Sequence, residues 1–120
     1  MTERSKRDVE ADIWATLREC SEYDWDGAGA EPAVPASARR AAALIRAMPG
    51  SLPLPDIGVD PDGSVSLDWP VVHGRSLTLS VDAVGAIPYA WIDNGTSGHG
   101  VTPFDGTGFP HPLMKRMAAP

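Results

Sequence analysis

Residues 57–69 read Ile57-Gly58-Val59-Asp60-Pro61-Asp62-Gly63-Ser64-Val65-Ser66-Leu67-Asp68-Trp69. Two apolar runs flank a turn in which Asp60 opens the reversal, Pro61 fixes φ at the second position and Gly63 takes the left-handed one. Val65, Leu67 and Trp69 alternate with Ser66 and Asp68, which gives a strand with one buried and one solvated face. The stretch predicts an antiparallel hairpin, with Asp68 directed to solvent and Asp60 and Asp62 at one end of the ribbon. The same alternation recurs over 77–81, after a reversal at His73-Gly74, and over 87–92, after a reversal at 83–86. Pro88 places that last strand at an edge or a bulge. Four strands in a meander are expected.

Upstream of the hairpin the spacing is helical. Val9, Ile13, Leu17 and Cys20 draw one stripe along 5–22, broadened by Trp14, with Asp8, Glu10 and Asp12 near the positive end of the dipole. A second helix begins at Ser37 or just before and runs to Met48, with Ala41, Leu44, Ile45 and Met48 inward and Arg39, Arg40 and Arg46 outward; Pro49-Gly50 stops it. The glycine-rich stretch 93–108 is expected to be a long loop, a short fifth strand near Val101 being left open, and 112–117 a basic helical turn or two. The fold class is therefore α+β: one domain over 1–120, with a helical half (5–48) packed on one face of an antiparallel sheet half (56–104).

Charge is uneven. The chain of 120 residues has formal net charge −6. Seven aspartates between 47 and 114 (Asp56, Asp60, Asp62, Asp68, Asp82, Asp93, Asp105) face Arg75 alone, whereas acids and bases nearly balance over 1–46. An acidic chain is a poor ligand for nucleic acid or an anionic membrane, so neither is expected as a direct partner. One cysteine and the lack of an apolar leader fit a cytoplasmic protein.

A second motif, Trp25-Asp26-Gly27-Ala28-Gly29-Ala30, precedes Glu31-Pro32. In it Trp25 is expected to bury its ring and Asp26 to accept backbone N–H bonds, while Gly27 and Gly29 take unusual angles; an exposed Tyr23, Trp25 and Asp26 would instead form a recognition patch. With the later Pro61-Asp62-Gly63 and Leu67-Asp68-Trp69, this element resembles a group of small bacterial or phage proteins built around WDGxGA and PDGxVxLxW. The resemblance covers roughly residues 20 to 110 and implies a fold; it carries no catalytic residues over.

The chemistry-bearing residues form no standard constellation. Asp60-Pro61-Asp62-Gly63 echoes a calcium loop, but Val71 stands where an EF-hand needs its bidentate Glu. His73, His99 and His111 have no metal-ligand spacing, so no metal, cofactor or catalytic set is expected. The reading that follows is a non-enzymatic acidic binding protein that inhibits or neutralises a larger partner with a basic surface, of anti-CRISPR, antitoxin or immunity type. Such a partner would be a CRISPR effector subunit, a toxin or a nucleic-acid enzyme; the anti-CRISPR comparison rests on size and charge. Asp56, Asp60, Asp62, Asp68 and Asp82, with Tyr23, Trp25 and Asp26, would contact it, and Arg75 would lie at the margin of the acidic patch. The alternative is a small hydrolase or ligand-binding domain using His99, Asp105, Tyr89 and Trp91. Strand edge and Ala-rich helix leave a homodimer open.

Overall fold

The computed structural model describes residues 4–117, and the few residues at either end lie outside it. The order is α1 (Lys6–Glu19), α2 (Pro35–Ala47), β1 (Asp56–Val59), β2 (Val65–Val72), β3 (Arg75–Val81), β4 (Ile87–Asp93), β5 (Thr96–Thr102) and α3 (His111–Met117). The strands form one antiparallel sheet in chain order, β1-β2-β3-β4-β5. No helix among the described residues is long and apolar enough to cross a membrane.

Each element follows from its local chemistry. Ser5 and Asp8 close a reciprocal capping box on α1, satisfying two orphan amides. Val9 and Ile13 enter the core and Cys20 closes the helix, buried, its thiol pushed up by burial and by nearby Glu19. Helix α2 starts at Pro35, earlier than the Ser37 reading, because proline is preorganised at the first helical position and lacks the amide that would go unpaired there. Ser37 lies buried inside the helix. Ala38, Ala41 and Ala42 let α2 approach closely, and Leu44, Ile45 and Met48 fill the space above β2 and β3. Their counterparts are Val65, Leu67 and Trp69 on β2, Leu77, Leu79 and Val81 on β3, and Ile87 on β4. The Trp69 indole N–H donates to Pro53 O at 2.8 Å, so the ring is buried without an orphan donor.

Two expectations are corrected. The stretch 93–108 is not a long loop, since residues 96–102 form β5. The physical reason lies in the partner strand: Trp91 faces Gly98, Tyr89 faces Gly100, and the rings lie flat where a Cβ at either glycine would come within 2.6 or 2.8 Å of them. The glycines make room for aromatic side chains on the inner face. Pro88 lies on an internal strand, tolerated because the β3–β4 pairing ends one residue before it, at Leu79↔Tyr89.

Helices α1, α2 and α3 pack on the inner face over β1, β2 and β3. On the inner side of β4 the rings of Tyr89 and Trp91 pack against the core, as do Phe104 and Phe109 from the segment after β5, and the Arg116 guanidinium sits 3.6 Å from the Trp91 ring centroid. Among the described residues no helix lies on the opposite face of the sheet.

Candidate functional site

Strand alternation and register decide what the uncovered face presents. One row crosses all five strands: Asp56, Asp68, Thr78, Ala90 and His99 are successive cross-strand partners. Beside it lie Gly58, Ser66 and Ser80, and on the other side Ser76, Ile92 and Ser97. Small hydroxyl side chains give a smooth surface, acidic over β1 and β2 and without carboxylates over β4 and β5, where Ile92 and Val101 are exposed. No strand position on this face holds Lys or Arg. The bases belong to the helical layer, to residues before α1, and to Arg75 on the inner face.

Asp56 and Asp68 stand directly opposite each other, an arrangement of like charges that costs stability. The cost is reduced by Thr78, whose hydroxyl donates to Asp68 Oδ1 at 2.8 Å, and by Arg4, 3.7 Å from Asp56. Asp60 folds toward the same face, where its Oδ2 accepts from Ser80 at 3.0 Å. The buried Ser64 hydroxyl lies between two carboxylates, 2.6 Å from Asp62 and 3.1 Å from Asp60, and its single proton serves the nearer. Together with the Ser64 amide it holds the Asp62 carboxyl below the usual carboxylate range.

The other residues singled out in the sequence divide into separate groups. Tyr23, Trp25 and Asp26 sit on the α1–α2 loop, which docks on the β1–β2 turn through Glu31 N to Pro61 O (2.7 Å) and Val34 N to Gly63 O (3.0 Å). The segment just after WDGxGA, residues 31–34, therefore docks on the PDG turn, which lies about thirty residues further along the chain. Asp26 Oδ1 accepts from the amides of Ala28 (2.8 Å) and Ala30 (3.1 Å), the half-buried Trp25 donates to Glu31 O, and Tyr23 is exposed. Asp24, at φ 66, adds an acceptor for Gly29 N that sequence reading missed. Asp82 is exposed at the same end of the sheet, but Arg40 crosses from α2 to donate to the carbonyls of Asp82, Gly85 and Phe104, which sets a guanidinium beside it. Arg75 is not at the margin of the turn: it begins β3 at the opposite end, paired with Asp93 at 3.3 Å.

The residues of the catalytic alternative are dispersed. Tyr89 and Trp91 occupy the inner face and His99 the outer one. His99 lies three strand spacings from Asp68, about 14 Å. Asp105 spends one oxygen on Thr107 N, Thr107 Oγ1 and Gly108 N, bonds that hold its carboxyl low. Among the described residues no cluster of His, Cys, Asp and Glu is arranged to hold a metal.

Sequence reading also missed a cleft of about 490 Å³ at the Arg75 end, walled by Pro53, Leu54, Trp69, Leu77 and Met117 with Arg75 and Arg116 at its polar side. It is assembled from segments far apart in the chain. Comparison with models of known families, with curated proteins and with solved structures found no match.

Proposed function

We propose that this chain is a non-enzymatic binding protein that docks its uncovered sheet face on a basic surface of a larger partner and so inhibits or neutralises it. The observation that supports this reading is the Asp56–Asp68 pair, two aspartates opposed across β1 and β2 on a sheet face where no strand position holds Lys or Arg. Proteins accept a local arrangement that costs stability mainly where function needs it. A partner cation placed near the two carboxylates would add to the partial compensation that Thr78 and Arg4 provide, so that binding relieves their remaining repulsion. The smooth Ser/Thr/Gly surface around them lets a broad partner approach, and the exposed Ile92 and Val101, on either side of the Ala90–His99 pair, supply apolar contact area. Nucleic-acid-handling proteins and toxins carry basic surfaces of this kind.

The test is capture of partners from bacterial lysate by wild type, by the double variant Asp56→Lys/Asp68→Lys and by a control, Glu22→Lys, which reverses an exposed acid off the sheet. The expected result is a basic protein retained at about 50 mM salt by wild type and control, released near 300 mM and lost with the double variant. Purified, it should also lose its nucleic acid when this protein is added. Retention that ignores both salt and the double substitution overturns the reading.

A further inference from the structure

Strand β5 ends the sheet, and nothing in its sequence protects that edge. Thr96-Ser97-Gly98-His99-Gly100-Val101-Thr102 contains no Lys, Arg, Asp, Glu or Pro, the residues with which natural edge strands discourage pairing. The other edge strand, β1, is four residues long and has α1 packed against it.

The hairpin geometry fixes which backbone groups β5 leaves unused. Asn94 (φ 49) and Gly95 (φ 88) form a two-residue loop of the kind that closes on a hydrogen-bonded pair, here Asp93↔Thr96. Hydrogen-bonded pairs then recur every second residue, at Gly98, Gly100 and Thr102. Ser97, His99 and Val101 therefore turn their N–H and C=O groups away from β4, and all three are exposed.

We propose that this edge pairs with the same edge of a second copy, antiparallel about a two-fold axis at His99, to give one continuous ten-stranded sheet. The segment is close to a palindrome about His99: Gly98 mirrors Gly100 and Thr96 mirrors Thr102. An antiparallel two-fold sets each residue opposite its mirror image, so His99 meets His99 and Ser97 meets Val101 of the other copy. In that register all three outward amides of each copy find carbonyl partners. A slide by two residues one way brings Pro103, which has no N–H, into the ladder; the other way brings in Gly95 of the turn. On the inner face the opposed positions are Gly98 with Gly100, where the absence of side chains permits the close spacing of a non-hydrogen-bonded pair. The axis runs perpendicular to the sheet, so both outer faces end on one side. A partner peptide adding to the same edge would gain the backbone bonds but not this mirror matching.

The contact is small, which sets it among weak interfaces, so sedimentation is followed up to about 500 μM chain. Wild type is expected to pass from monomer to dimer. In hydrogen exchange by NMR the amides of Ser97, His99 and Val101 should gain protection with concentration, while those of Gly98, Gly100 and Thr102 are already protected. His99→Pro removes the amide at the axis while leaving the β4 ladder intact, and should stay monomeric. His99→Lys and His99→Glu should each weaken the dimer about fivefold, from like charges set directly opposite, and an equimolar mixture of the two should restore it. The mixture decides the matter even where the proline variant fails to fold. A wild type that is monomeric at the highest concentration, a dimer indifferent to His99→Pro, or protection arising at other residues overturns the proposal.

Discussion

Gly63 and Gly85 share a backbone angle and differ in their surroundings, which isolates the contact between the α1–α2 loop and the β1–β2 turn. Gly63 has φ 91 and Gly85 φ 92. A Cβ at Gly63 would lie 2.5 Å from Pro32 O and 3.1 Å from Val34 Cγ2, whereas one at Gly85 meets nothing within 4 Å. Alanine at either site incurs the left-handed strain of an L residue, about 1–2 kcal/mol. At Gly63 it must also push away the Pro32 carbonyl, loosening the Glu31–Pro61 and Val34–Gly63 bonds beside it. At roughly 0.5–1.5 kcal/mol for each bond, Gly63→Ala should lose about 2–5 kcal/mol in all. With a urea dependence of about 1.5 kcal/mol per molar, the unfolding midpoint should drop by about 1 M for Gly85→Ala and by about 1.3–3.3 M for Gly63→Ala. Urea titrations followed by circular dichroism measure both. Equal drops would mean that docking the α1–α2 loop on the β1–β2 turn adds nothing to stability.

Arg40→Lys cannot fork to the carbonyls of Asp82, Gly85 and Phe104 or stack its plane on the Phe104 ring, so a loss of about 1–3 kcal/mol is expected, with faster proteolysis in 82–86; unchanged cleavage refutes the clamp. The folded Asp62 carboxyl lies below its unfolded value, so its contribution is complete above about pH 4 and lost as pH falls through the lower folded value. Ser64→Ala removes the largest cause, and its stability deficit in urea should narrow below pH 4; a gap constant with pH contradicts the assignment. Gly98→Val, a favourable change by strand propensity, should destabilise because Trp91 occupies the space, and should abolish the ring-current shift of the Arg116 protons in NMR; a stabilised variant would show that the ring does not lie there.

Side-chain periodicity explains which parts of the fold were legible. Val9, Ile13 and Leu17, or Val65, Leu67 and Trp69, announce an element because the residue that is buried is the residue that is apolar. Strand β5 breaks that link: its inner positions, Gly98 and Gly100, are covered by rings belonging to β4, so the signal was written one strand away. The acidic face was half legible. Alternation put Asp68 outward, but that Asp56 opposes it depends on register, and that Asp82 stands apart depends on Arg40 arriving from α2. The cleft at the Arg75 end joins residues 53, 69, 77 and 117, and no local pattern encodes such a meeting.

Because strand order equals chain order, the sheet can come apart from its C-terminal edge without severing any other pairing. Detaching β5 leaves β1 to β4 intact, and losing β4 as well removes Ile87 and the rings of Tyr89 and Trp91 from a core whose other buried residues come from α1, α2, β2, β3 and Leu113 of α3. Opening free energies should thus form a staircase along the chain, lowest at the last hairpin and highest over β2 and β3. The cell's quality control would meet this molecule first at residues 87–102, where a transiently freed hairpin exposes Ile87, Tyr89 and Trp91 together.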